Sequence, residues 1–371
     1  MKQPTLYLCY SINDFAVMEA GISMLSFLMN NPGYEPEEIF FIDYGINSAH
    51  KETLNDIAAQ YGRRITYLQG RPVTDVIKRQ FPNLKSWSGT MAPNAKPFLD
   101  QIMPEYVERV LFLDADTLVM GSIEELQHLD MRGTALAAVP QNLVSVRVRS
   151  GEIKLYSGSS IYFNSGVLLI DLAVWRREDC HSMVIDILHK KKQLYTPDQT
   201  LLNNAIPARL QYQLPLKFNH LTHHIHPSQE RFYLSIGHIH TAEEIEEAIQ
   251  HPVIMHCTSG DHQARPWHKG CWSYRKEEYL RYKALSPWKD VPLKPDFRKT
   301  QQRKGFLNKG IKLMYWMQSR QPSYRLTLLY MTTFWLLVKW GRKIMKTPPE
   351  PGEGIEAPCN PLVGDEVRNE E

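Results

Sequence analysis

Two aspartates separated by one alanine, Asp114-Ala115-Asp116, follow directly on the apolar run Arg109-Val110-Leu111-Phe112-Leu113. On an extended backbone, residues two apart point to the same side, so both carboxylates can face one point in space. The small residue between them leaves room for a ligand. Two hard oxygen donors in this arrangement suit Mg2+ or Mn2+, and such a cation binds a diphosphate and neutralises the charge that develops as it leaves. Short acidic pairs also occur at ordinary turns and solvated strand ends. Here the fully apolar strand immediately before the pair favours a ligand site.

The elements that must hold the pair follow from the spacing of apolar residues. Residues 5–10, 39–43, 65–68 and 109–113 read as short buried strands, and residues 18–29 and 52–61 carry apolar side chains at helical spacing. Residues 134–139 and 167–170 add strands, 173–191 and 198–204 add helices, and 253–257 is a last short strand. Alternation of this kind predicts an α/β fold with a mostly parallel sheet and helices on both faces, where ligands bind beyond the strands' carboxyl ends. Residues 220–250 are rich in His and Glu and fit no clear element. The cluster His220, His223, His224 and His226 matches no familiar zinc spacing.

Charge is concentrated along the chain. The net charge is +3, yet residues 298–346 carry 12 Lys and Arg with no acidic residue, and residues 347–371 carry seven acidic residues against Arg368. A concentrated basic patch is a footprint for an anionic surface. The five cysteines are odd in number and show no C-x-x-C spacing, which argues for a reducing compartment and against a disulfide framework or zinc ribbon. The chain enters a strand-like run at once, without an apolar segment and small-residue cleavage site of the secretory kind. The expectation is a cytoplasmic protein on the inner face of the cell membrane.

Four stretches, in order, resemble glycosyltransferase family 8, which includes bacterial lipooligosaccharide and lipopolysaccharide α-glycosyltransferases and, more distantly, glycogenin. They are RVLFLDADTLVMGSIEEL from Arg109, YFNSGVLLIDLAVWRR from Tyr162, PDQTLLN from Pro197, and the segment from His256 to Arg265-Pro266-Trp267. FIDYGINSAHKETL from Phe41 is a weaker match. The resemblance implies a GT-A type nucleotide-diphospho-sugar transferase that retains anomeric configuration. It implies that Asp114, Asp116 and His256 hold Mn2+ or Mg2+, with Asp114 also near the donor sugar. Asn164, Ser165 and Gly166 match a turn lying against that sugar, where glycine permits close backbone approach. Asp198 and Gln199 match a pair contacting the sugar, with Gln199 beside the reacting face. Lys96 matches a cation near the sugar and phosphates, and Asn13 and Asp14 occupy the loop expected to hold base and ribose. The closing motif is three residues longer than the family's usual one and has Arg265 where Lys is usual. That leaves Gly260 and the phosphate grip displaced, although Arg can bind a diphosphate bidentately.

Taken singly, each of these residues has a structural reading, such as a hydrogen-bonded core histidine at 256 or a packing role for Trp267. Jointly they imply transfer of glucose or galactose from a UDP-hexose to a glycan or glycolipid acceptor, probed against two alternatives: a glycogenin-like self-glucosylating protein and a non-catalytic nucleotide-sugar-binding protein. The expected organisation is a catalytic domain over 1–285, a Pro-containing linker with basic amphipathic helices over 286–346, and an acidic disordered tail over 347–371. Within 326–340 the apolar run is too short to span a bilayer, and its Trp, Tyr, Lys and Arg residues fit an interfacial helix on an anionic membrane. A helical hairpin packed on the catalytic domain is the other reading of that segment. No nucleic-acid-binding module is present to claim the basic patch.

Overall fold

The computed structural model of the chain describes residues 4–295 apart from 88, 195, 223–226, 259–264 and 272, with no side-chain description at 228, 229 and 232. Gly260, His223, His224, His226, the basic segment 298–346 and the tail 347–371 therefore lie outside the described residues.

Among the described residues, ten strands form two sheets. The strands are β1 (Leu6–Ile12), β2 (Glu38–Asp43), β3 (Arg64–Gln69), β4 (Arg109–Leu113), β5 (Thr117–Val119), β6 (Leu136–Pro140), β7 (Phe163–Asp171), β8 (Gln211–Gln213), β9 (His220–Leu221) and β10 (Ile254–His256). The main sheet runs β3-β2-β1-β4-β7-β6-β8, and a small one runs β5-β10-β9. β1 lies parallel to both β2 and β4, and β7 is antiparallel to its neighbours β4 and β6. Helices Val17–Asn30 and Ser48–Gln60 connect the first strands. Both pack on one face of the sheet, and Ala92–Phe98 with helices Cys180–Lys190 and Pro197–Ala205 covers the other, which is why β4 reads as an unbroken apolar run rather than an alternation. Each fully buried apolar side chain of that run contributes about 1.5–3 kcal/mol.

The reversed direction of β7 positions the site. A parallel strand beside β4 would bring its carboxyl end to the edge where Asp114 lies. Antiparallel β7 instead brings its first residues there, because Leu113 pairs with Val167 and the Asp114 amide donates to Gly166 O at 2.8 Å. Asn164, Ser165 and Gly166 therefore lie within the strand that begins at Phe163, where its register with β6 is irregular, rather than in the turn expected from the family resemblance. The small sheet supplies the rest. β10 pairs antiparallel with β5 so that His256 faces Thr117, and the Cys257 amide donates to Asp116 O at 2.7 Å.

The expected helix over 173–191 is two helices, Leu172–Arg177 and Cys180–Lys190. Asp179 separates them in the left-handed conformation, φ 51°, and its carboxylate accepts from the Ser182 amide at 3.3 Å. Aspartate tolerates that conformation and caps the second helix, so the break costs little. Residues 227–250, unassigned from the sequence, form helices Pro227–Ser235 and Ala242–Gln250, the second opened by a capping box of Thr241 and Glu244.

Beyond helix Lys276–Leu285 the chain stays on the domain. Lys283 Nζ donates to the carbonyls of Trp288, Lys289 and Val291, tying down the next turn. Trp288 covers Gly21, where an added Cβ would meet the indole at 2.3 Å. The Lys294 amide donates to Trp267 O at 2.8 Å, and its ammonium reaches Glu19 at 2.5 Å.

Candidate active site

The carboxyl ends of β1 and β4, the start of β7 and the end of β10 open into a cleft of about 690 Å³. Of the residues singled out in the sequence, Asn13, Lys96, Asp114, Asp116, Asn164, Ser165, Gly166, Asp198, Gln199, His256 and Arg265 line it. Asp14 does not line the cleft. Its carboxylate accepts from the Asn47 amide at 2.9 Å and lies 2.7 Å from His50 Nδ1, and these contacts hold it below the usual carboxylate range. Asp14 thus braces the loop that carries Asn13. Gly260 lies outside the described residues.

One end of the cleft gathers Asp114, Asp116 and His256, whose ligand atoms all lie within 4.8 Å of one another. Two carboxylate oxygens and one imidazole nitrogen form a donor set suited to Mn2+ or Mg2+. The electrostatics agree with that fit. Burial pushes the Asp114 carboxyl up, Lys96 pulls it back, and repulsion from Asp116 leaves it raised. Burial also opposes ionisation of Asp116, but Arg265 Nη1 at 2.6 Å and His256 hold it well below the usual range. The two carboxylates differ in acidity because Asp116 has Arg265 and His256 beside it whereas burial dominates at Asp114, and a divalent cation would add positive charge next to both. Among the described residues this is the one grouping of at least three such donors that could hold a metal. His220, from the histidine cluster, is instead buried 2.8 Å from buried Glu230.

Lys96 is the centre of the polar floor. It sits in the irregular helical stretch Ala92–Phe98, between Pro93 and Pro97, and is 1% exposed. Its Nζ lies 2.7 Å from Asp114 Oδ1 and 2.7 Å from Asp198 Oδ2. Burial alone would discharge the amine, but the two carboxylates outweigh it and hold the group charged. Asp198 Oδ2 also accepts from Ser165 Oγ at 2.8 Å. Gln199 Oε1 accepts from Asn164 Nδ2 at 3.1 Å and from the Ser165 amide at 3.2 Å, while its Nε2 donates to Gln141. Both amides and both carboxylates are held in place before any ligand arrives.

Gly166 lines the cleft and has a second structural reason to be glycine. A Cβ there would lie 2.1 Å from Cε1 of His256, so the glycine makes room for the imidazole. Several cleft residues had no signal in the sequence. Phe15, 88% exposed, stands at the rim and could offer a ring face to a planar base. Asn219 contacts His256 Nδ1 at 3.1 Å from a loop with no motif. Glu19 and Lys294 meet in the cleft wall although 275 positions apart, and Lys294 lies beyond the expected end of the catalytic domain.

Comparison with known proteins agrees with this geometry. The family model described as Glycosyl transferase family 8 matches residues 7–271. General stress protein A of Bacillus subtilis is 24% identical over 293 residues, covering 78% of this chain and 97% of that protein. The lipopolysaccharide 1,2-glucosyltransferase of Escherichia coli K12 is 26% identical, covering 77% and 79%. The lipopolysaccharide 1,3-galactosyltransferase of Salmonella typhimurium is 25% identical, covering 77% and 80%. Among solved structures, the galactosyltransferase LgtC in complex with donor and acceptor sugar analogues superposes with a TM-score of 0.60 at 20% identity, covering 76% of this chain and 96% of that one. The fold is thus the expected GT-A α/β architecture.

Proposed function

The chain belongs to glycosyltransferase family 8, and on that footing we propose that it transfers glucose or galactose, with retention, from a UDP-hexose to a glycan or glycolipid acceptor in bacterial cell-surface polysaccharide synthesis. The observation that carries this reading is the convergence of Asp114, Asp116 and His256 with Lys96 and Arg265 on one cleft. A divalent cation held by the first three residues would supply Lewis-acid neutralisation of the leaving diphosphate. Arg265 borders the same end and Lys96 the floor, so both offer positive charge where negative charge develops.

Retention is what the family membership supports, and what the cleft withholds bears on which retaining route is used. A double displacement needs a free carboxylate or comparable nucleophile at the far face of the anomeric carbon. Asp198 Oδ2 is engaged by Lys96 and Ser165, and Gln199 Oε1 already accepts two hydrogen bonds. Front-face attack fits better: the acceptor hydroxyl enters on the side from which the diphosphate leaves, and a diphosphate oxygen takes its proton. Gln199 then acts as a fixed dipole beside the reacting carbon.

The test is UDP release from UDP-glucose and UDP-galactose, with and without Mn2+. Release that needs the metal and vanishes in Asp116→Ala supports the reading, and the preferred donor names the sugar. An inverted product by NMR would overturn the front-face mechanism, and no binding of either donor would overturn the transferase reading. For localisation, no described helix is long and apolar enough to cross a membrane. The 12 basic residues of 298–346 support peripheral attachment to an anionic leaflet, each worth on the order of 1 kcal/mol near its surface. Co-sedimentation with anionic but not neutral vesicles is the expected result.

A further inference from the structure

A backbone amide has one role in a hydrogen bond, which makes it a fixed reference for the side-chain amides around it. The Gly166 N–H donates to the Asn164 side chain at 2.9 Å, so the Asn164 atom there is its oxygen. That same oxygen lies 2.9 Å from the Asn219 side chain, which must therefore present its nitrogen. The other terminal atom of Asn219 is then its oxygen, 3.1 Å from His256 Nδ1. An acceptor at that distance requires hydrogen on Nδ1. Nε2 lies 3.1 Å from Asp116 Oδ1 inside the cation-binding group, so a hydrogen there is the one that a bound cation would displace, while the Nδ1 hydrogen stays on Asn219.

The far end of the chain gives the same orientation independently. The Ser165 N–H donates to Gln199 Oε1 at 3.2 Å, and the remaining Asn164 nitrogen donates to that oxygen at 3.1 Å. Reversing Asn219 would set its oxygen against the Asn164 oxygen and its nitrogen against His256. Asn219 is 1% exposed and His256 4%, so solvent has little access to repair such a mismatch.

We propose that Asn219 is a positioning residue that places the imidazole hydrogen of His256 on Nδ1, keeps Nε2 free for a divalent cation, and couples that choice through Asn164 to the orientation of Gln199. The proposal rests on the cation-site reading above. It adds an outer partner to the imidazole, of the kind whose loss typically lowers metal affinity 10–100-fold. It also joins the metal end of the cleft to the amide proposed to stand beside the reacting carbon.

The experiment uses the full chain labelled with 15N-histidine, with Asn219→Leu removing both hydrogen bonds and Asn219→Asp keeping an acceptor oxygen. Imidazole nitrogen shifts are read on metal-free protein in alkaline buffer, Mn2+ binding is read by calorimetry, and turnover by UDP release. The wild type should carry hydrogen on Nδ1 of His256. Asn219→Asp should retain that signature and bind Mn2+ within a few-fold of wild type, yet lose kcat at little-changed KM, because a carboxylate cannot donate to Asn164. Asn219→Leu should lose the Nδ1 signature and about 10–100-fold in Mn2+ affinity. A wild type without hydrogen on Nδ1, or wild-type Mn2+ affinity in Asn219→Leu, would overturn the proposal. Wild-type protein that shows the Nδ1 signature but binds no Mn2+ would sink the cation-site reading and uphold the assignment of the hydrogen.

Discussion

The imidazole of His256 occupies the space where a side chain on Gly166 would be, with Cε1 2.1 Å and Nδ1 2.5 Å from an ideal Cβ position. Gly166 belongs to β7 and His256 to β10, so two different sheets are fitted together at this contact. Gly166→Ala must push the ring aside, against its hydrogen bond from Nδ1 to Asn219. The three atoms nearest that Cβ all belong to His256, so the fold should survive while the cation group loses its nitrogen donor. The expected result is a fall of about 10–100-fold in Mn2+ affinity by calorimetry, with an unchanged far-ultraviolet circular dichroism spectrum. Wild-type metal affinity in Gly166→Ala would show that the ring can relax without cost.

Lys96 governs stability as well as charge in the cleft. Replacing it by methionine keeps an unbranched stem but leaves Asp114 and Asp198 facing each other without their shared cation. Removing one partner from a buried ionic group costs about 3–5 kcal/mol. Urea denaturation should show a loss of that size in Lys96→Met. The double variant Lys96→Met, Asp198→Asn should be less destabilised than the sum of the two single variants. Strict additivity would mean that the three groups do not act as a unit.

The sequence was most legible where one physical requirement dominates. An apolar run buried on both faces and closed by two aspartates can hardly be anything but a central strand delivering carboxylates to a ligand edge, and β4 and Asp114 are as expected. The direction of β7 was not legible, since an antiparallel strand and a parallel one share the same apolar pattern. The turn expected at Asn164, Ser165 and Gly166 came from the family resemblance, and the apolar pattern marked the strand only from residue 167. Lys96 was found by motif although it lies in an irregular Pro-flanked stretch that periodicity cannot describe. Asn219 was missed altogether because its role depends on the orientation of amides 55 positions away, on Asn164, and at the end of β10.

Asp43 links acid stability to the turn after β2, whose Asn47 amide donates to Asp14. Its Oδ1 accepts from the Gly45 and Ile46 amides, each at 2.7 Å, and its Oδ2 lies 2.6 Å from Lys51 Nζ. Burial opposes its ionisation, but Lys51 and the two amides outweigh it and lower the carboxyl below its usual range. Because the folded value is depressed, the stabilisation is present above the unfolded carboxylate value and is lost as pH falls through the folded one. Asp43→Asn should cost about 1–2 kcal/mol at neutral pH and flatten the acid limb of the stability curve. Urea midpoints measured from neutral pH down to about pH 3 will check this, and an acid limb parallel to wild type would reject it.

The Lys294–Glu19 pair closes the cleft wall from beyond the matched family span, which ends at residue 271. Glu19 is 5% exposed, whereas the Lys294 side chain keeps 42% of its surface in water. The pair is therefore screened on one side, and Lys294→Ala should cost about 1–2 kcal/mol, less than a fully buried pair. Part of that cost is a buried carboxylate left without its cation, so adding Glu19→Gln should restore some stability. The backbone of Lys294 is bonded to Trp267 and Lys269, two and four residues after Arg265. Loosening it should also raise KM for the donor with little effect on kcat, because the wall binds ligand without touching the reacting atoms. Thermal unfolding of Lys294→Ala and of the double variant, with donor KM alongside, measures both effects. Unchanged stability and KM in Lys294→Ala would mean that this segment is held by Trp288, Lys283 and the backbone bonds of residue 294 without help from the ion pair.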